Sequence, residues 1–241
     1  MSKTDLNCSH VLSDDLHRDG TLIHGFNTPL PDFPATGGFA SSSVILTRRG
    51  ERQVTELRPG DMIQTYDHGP QRLLAIGQRA YSAEDLLANP ALRPIRVEGT
   101  AYGVLAQLEV APLHRFLLRA EDTQGKTSRP SVLVRANDVP EDWTKRQAIN
   151  RNGVRYYHLV FDRHEVVMAG GIWCESAPLY SNLDPFGDPH LVWQQDCDQA
   201  LATLEHTQAP WRVLAREEVR RLSLAFKYRQ KHGDTVFAQL A

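Results

Sequence analysis

The residues in this chain that could do chemistry near neutral pH are few. His114 lies in the apolar run Val110–Leu118, and His158 and His164 flank the segment Leu159–Arg163. An imidazole can donate or accept a proton in this pH range, or ligate a metal through a neutral nitrogen. Three histidines make a candidate pocket for zinc, copper or nickel, or for a small ligand, although no supporting Cys or carboxylate spacing accompanies them. The alternative for each is a structural histidine hydrogen-bonded to backbone. Asp162-Arg163 reads as an ion pair fixing a turn. Cys8, Cys174 and Cys197 are too scattered for a disulfide framework or a zinc ribbon. They read as small hydrophobes or free thiols, which points to a reducing cytoplasm. The chain has no glycine-rich phosphate loop, no Gly-x-Ser-x-Gly elbow and no His-Glu-x-x-His.

The elements that must position these groups are mostly strands. A hydrophobic content of 41% with 23% charged residues is globular composition. A formal net charge of -2 gives no reason to expect nucleic acid or an anionic membrane as partner. No run is long enough to span a bilayer, and the polar segment Met1–His10 lacks the apolar core of a signal peptide. Residues 1–36 carry Asp, Asn and Pro clusters and read as an irregular leader. From residue 37 short β-rich runs alternate with turns at Arg49-Gly50, Pro59-Gly60 and Asn152-Gly153. Leu73–Ile76 reads as a strand stopped by Gly77. Ser82 is an N-cap with Glu84 and Asp85 in the first turn. Residues 138–152 read as irregular, with Trp143 and Ile149 as anchors. Leu191–His206 and Val213–Lys231 have a helical pattern. The four tryptophans are dispersed, as core anchors would be.

Two further patterns carry a family resemblance. The first is Gly38-Phe39-Ala40-Ser41-Ser42-Ser43, followed by Arg49-Gly50-Glu51-Arg52, Leu57-Arg58-Pro59-Gly60-Asp61, Thr65, Asp67, Gly69 and Gln71. The second comprises Ala111-Pro112-Leu113-His114-Arg115-Phe116-Leu117-Leu118 and the long block from Tyr156 to Ser176. Together they resemble the Hint domain, the Hedgehog/intein autoprocessing fold, in its bacterial Hint_2 branch. The resemblance implies a mainly β, horseshoe-like disc over residues 37–180, followed by a helical extension over 181–241.

It also implies a reaction. A Cys or Ser at the first position attacks the preceding carbonyl, and a His protonates the leaving amide nitrogen. His114 falls on that His. Gly38 stands at the nucleophile position, Ala111 at the hydroxyl position three residues before the His, and Glu175-Ser176 where inteins end in His-Asn. Ser41, Ser42 and Ser43 are the substitute nucleophiles for an acyl shift assisted by His114, with Asp162 and His164 as accessory catalytic candidates. The leading expectation is a degenerate domain, a pseudoenzyme without self-cleavage that acts as a folded binding or scaffold module. Its partner would be a protein or small molecule, and no cofactor is implied.

Overall fold

A computed structural model describes residues 37–98, 108–118, 131–139, 144–177, 191–194 and 211–220 of the chain. The expectations for the leader 1–36, for Cys8, Cys197 and Trp143, and for most of the helical extension lie outside these residues.

The described residues form two antiparallel-dominated sheets. The first has the order β11 (Thr144–Arg146), β7 (Ile95–Val97), β8 (Glu109–Val110), β1 (Phe39–Ala40), β12 (Val154–Val160), β6 (Ala75–Tyr81) and β15 (Leu191–Trp193). The second runs β16 (Arg212–Val213), β10 (Val132–Arg135), β9 (Arg115–Leu118), β14 (Ile172–Glu175), β13 (Val166–Ala169), β2 (Val44–Thr47), β4 (Met62–Thr65) and β5 (Gly69–Arg72). The strand β3 (Gly50–Gln53) pairs with β2. One buried cluster draws from both sheets: Phe39, Ile76, Val110 and Leu159 from the first meet Ile45, Ile63, Phe116 and Val167 from the second. Side chains alternate across a strand, so each sheet turns one face to this shared core.

Turn chemistry follows the sequence. Gly50, Gly60 and Gly153 all hold φ between 65° and 105°, at 103°, 98° and 70°, where a side chain is strained. Ser82 caps the helix α1 (Ala83–Ala88) in a reciprocal box with Asp85, satisfying two end groups at once.

Four expectations need correction. Gly77 does not stop a strand, because β6 runs through it to Tyr81. A Cβ there would lie 3.0 Å from both Leu191 Cδ1 and Trp193 Cζ3, so the glycine is a packing requirement for β15. Leu191–Trp193 is accordingly a strand pairing with β6, not the start of a helix. Likewise Arg212–Val213 is a strand parallel to β10, and helix begins only at residues 216–220. Within 138–152, Thr144–Arg146 is an edge strand on β7 rather than irregular chain.

Candidate functional site

Strand register builds the site. β1 lies between β8 and β12, with Phe39 opposite both Val110 and Tyr157 and Ala40 opposite Tyr156. One residue earlier, the same antiparallel register brings Gly38 between Ala111 and His158. The Ala111 N–H donates to the Gly38 carbonyl at 2.8 Å. Beyond Ala111 the chain turns at Pro112-Leu113, and the His114 N–H donates back to the Ala111 carbonyl at 2.9 Å. That turn returns the imidazole to the same point. The Gly38 N–H donates to His114 Nδ1 at 3.0 Å, and this hydrogen bond is buried.

The geometry fixes the state of His114. Nδ1 accepts a hydrogen bond from the Gly38 amide, so it carries no proton itself, and the ring is the neutral Nε2–H tautomer. The ring packs edge-on to Phe39, with centroids 4.4 Å apart, and to Phe116 at 6.0 Å. Burial, followed by the neighbouring Arg115 guanidinium, pushes its pKa down to about 3. His158 is pushed to about 3 as well, by burial first and then by Arg79 and His114. The Nε2 atoms of both rings are buried without a hydrogen-bond partner among the described residues.

Gly38 is tightly held. Its φ is +153°, a region L side chains rarely occupy. A Cβ on it would lie 3.0 Å from Tyr156 Cβ and 3.1 Å from His158 Cε1. A Cβ on Gly37 would lie 3.0 Å from His114 Nδ1. The two glycines therefore pass between the imidazoles, and a Cβ on either would be in tighter contact than its neighbours allow without shifting.

The three serines face elsewhere. The Ser43 hydroxyl donates to the Glu109 carbonyl at 2.5 Å and accepts the Glu109 N–H at 3.1 Å. The Ser42 hydroxyl donates to Glu109 Oε2 at 3.0 Å, while Arg96 holds Oε1 of the same carboxylate at 2.6 Å. Ser41 is exposed in the turn after β1. Among the described residues none of these hydroxyls is hydrogen-bonded to His114.

His164 belongs to a different cluster. Its Nε2 lies 3.1 Å from Glu175 Oε1, the oxygen that also takes Arg115 at 2.8 Å. Asp162 and Arg163 are exposed in a bend and make no ion pair with each other among the described residues. No three His, Cys, Asp or Glu side chains among the described residues come close enough to share a metal ion. The structure thus unites His114 and His158 at Gly38 and places His164 on Glu175. Cys174 is fully buried, and burial pushes its thiol up, away from the reactive thiolate.

Several residues of the site were not picked out from sequence. Tyr156 walls Gly38 and donates its hydroxyl to the Leu92 carbonyl at 2.7 Å. Its two-residue spacing from His158 on a strand was the available signal, since both side chains must share a face. Arg79 sits opposite Tyr156 in the ladder, and no local pattern links them. His68, which bonds the buried Glu165 carboxylate at 2.9 Å through Nδ1, is likewise visible only in three dimensions.

The two neutral imidazoles make a pH prediction. An unfolded chain binds protons at histidine near pH 6.5, whereas the folded chain resists until about 3 at both sites. Stability from these groups is complete above about pH 6.5 and is lost as pH falls from there toward 3. Two such groups set a slope approaching ~2.7 kcal/mol per pH unit near pH 5. Urea unfolding between pH 7.5 and 5 measures it. A free energy flat across that range would contradict burial of the neutral rings.

The comparisons with known proteins agree with the resemblance in sequence. Among curated proteins no relative matches. Solved structures similar to this chain include the gp41-1 intein, at 8% identity and TM-score 0.33, covering 57% of this chain and 97% of that one. A bacterial intein-like domain from Clostridium thermocellum is similar at 12% identity and TM-score 0.37, covering 58% and 98%. The Ssp DnaB mini-intein variant M86 stands at 13% identity and TM-score 0.35, covering 61% and 99%. No described helix is long and apolar enough to cross a membrane. The profile of the Hint domain family matches residues 37–179, more than half of the chain, and the protein therefore belongs to the Hint domain family.

Proposed function

We propose that this is a degenerate Hint domain, one whose self-processing centre has lost its nucleophile and which acts as a folded binding or scaffold module in the cytoplasm of a bacterium. The observation that carries this reading is the hydrogen bond from the Gly38 amide to His114 Nδ1, at a position with no side chain and with tight walls where one would start. In the reaction the family resemblance implies, residue 38 would supply the attacking group and His114 would deliver a proton to its amide nitrogen. Here the residue has nothing to attack with. His114 holds the amide as an acceptor, in a surrounding that resists the protonated form it would need. Ala111, at the position of the family's hydroxyl residue, is buried and offers no hydrogen bond from its methyl group.

The competing reading is residual autoprocessing through a serine of 41–43. A hydroxyl needs a base aimed at it to become a nucleophile. Ser43 donates to the Glu109 backbone carbonyl, and the carboxylate that Ser42 meets is paired with Arg96 at 2.6 Å, so the bases at hand are weak ones and neither hydroxyl faces His114, which favours the module over the enzyme. Hydroxylamine separates the two, because it cleaves an ester formed by an acyl shift and leaves an amide intact. The full chain should show no hydroxylamine-dependent fragment ending at residue 40, 41 or 42, as distinct from any cut at Asn152-Gly153, and the triple substitution of Ser41, Ser42 and Ser43 by Ala should behave identically. A fragment ending at residue 40, 41 or 42 that disappears in the triple variant would establish the enzyme reading.

A further inference from the structure

Residues 211–220 lie beyond the stretch that the family profile matches, yet they complete the second sheet and the core. β16 runs parallel to β10 at the sheet edge, with Arg212 opposite Val132 and Val213 opposite Leu133. The Leu214 N–H extends the ladder by donating to the Leu133 carbonyl at 2.9 Å. Side chains alternate here as in any strand. Val213 and Trp211 pack with Leu117, Leu133 and Val166, while Leu214, 5% exposed, enters the shared core together with Val219, 3% exposed. The Trp211 ring meets Tyr66 edge-on, with centroids 6.1 Å apart. Arg216 Nε lies 3.4 Å from Oδ1 of Asp138, whose side chain is buried.

The segment sets its own shape. The Glu218 carboxylate accepts the Ala215 N–H at 2.9 Å, closing the first turn of the helix over 216–220, and pairs with Arg212 on the strand side. These contacts lie within the segment, so they support the bend from strand to helix locally. The contacts that hold it to the rest of the domain are of another kind. They are a backbone ladder on the β10 edge, two aliphatic side chains in the core and a charge pair at Asp138. Arg212, Ala215, Arg216, Glu217 and Arg220 face outward. Local contacts that preorganise and apolar anchors that dock are the division found in a peptide ligand bound at a sheet edge.

We infer that residues 211–220 are a built-in ligand, held by a peptide-binding surface made of the β10 edge, the core positions that take Leu214 and Val219, and Asp138. The surface fits an amphipathic peptide of strand followed by helix, and its occupant is the chain's own segment. A backbone cut between β15 and β16 therefore leaves the downstream piece on the domain, and the module keeps its C-terminal flank without a covalent link. This does not depend on whether the chain cuts itself at residue 38, and it survives if the degenerate reading fails.

The test uses the full chain with a site-specific protease sequence inserted between Thr207 and Gln208. After cleavage in native buffer, the downstream piece should co-elute with the domain in size-exclusion chromatography at micromolar concentration and separate only in denaturant. A fluorescent peptide of residues 208–220 should then exchange into the cut chain and should not bind the uncut chain, whose own segment fills the surface. Substitutions placed in the peptide leave the folding of the domain untouched. Leu214→Ala in the peptide should raise its half-saturating concentration at least about thirtyfold, and Arg216→Glu, which sets a like charge beside Asp138, about tenfold. Separate elution in native buffer would overturn the proposal, as would precipitation of the domain on cutting. So would equal binding of the peptide to cut and uncut chains, or variant peptides that bind as well as the wild-type sequence.

Discussion

Gly38→Cys is expected to destabilise the protein by about 2–6 kcal/mol and to leave the bond before residue 38 uncut. Two costs add. The backbone at φ +153° must move or hold an L side chain in strain, at roughly 1–3 kcal/mol. The new Cβ starts 3.0 Å from Tyr156 Cβ and 3.1 Å from His158 Cε1, and overpacking in a fixed wall costs roughly 1–3 kcal/mol. Neither contact relaxes by swinging the end of a flexible chain, because Tyr156 is pinned through its hydroxyl to Leu92 and the His158 ring is buried. Gly38→Ala should lose nearly as much stability, which isolates the backbone and packing terms from the thiol. Chemical denaturation of both variants, with intact mass of the cysteine chain in the presence of a reducing thiol, reads the result. A cysteine chain of wild-type stability that cuts before residue 38 would show that the site still accommodates a nucleophile.

His114→Ala is expected to cost about 2–4 kcal/mol. The side chain is only 3% exposed and fills the gap between Phe39 and Phe116. Its removal leaves a cavity of the kind that costs a few kcal/mol when an aromatic ring is truncated. It also strands the buried Gly38 N–H, at roughly 1–3 kcal/mol for an unsatisfied donor. His114→Phe keeps a ring, slightly larger than the imidazole, and loses its nitrogens, so it should fall between wild type and His114→Ala. A shift in urea midpoint in that order, measured at pH 7.5 where the ring is neutral, supports a structural imidazole. A His114→Ala chain as stable as wild type would mean that the ring neither packs nor bonds as described.

Local signals revealed more of this fold than of its site. Turn glycines, the Ser82 cap and the alternating runs of β2 and β4 are short-range features, and the chain reports them directly. β15 was hidden because three residues are too few to establish a two-residue period, and the sequence after them carries a helical pattern. Gly77 misled for a related reason. A glycine ends a strand or admits a neighbour, and only the neighbour, Trp193 more than a hundred positions away, decides which. The site divides in the same manner. Gly38 and His114 could be paired from the family pattern, and the structure joins them by a hydrogen bond. The serines were suspected from position alone, and Glu109 takes two of them away. His164 resembled a third imidazole for the pocket, yet Glu175 claims it. Tyr156 shares a two-residue spacing with His158, whereas Arg79 gives no local sign, because register between β6 and β12 is what brings it there.

The account rests most heavily on the integrity of one bond. The full-length chain, with a peptide tag ahead of residue 1, should be purified quickly and its intact mass followed for several days at pH 7, with and without a small thiol. The predicted result is a single unchanged mass throughout, the tag still joined to the domain. A fragment whose N-terminal residue is Gly38, growing with time or with thiol, would contradict it.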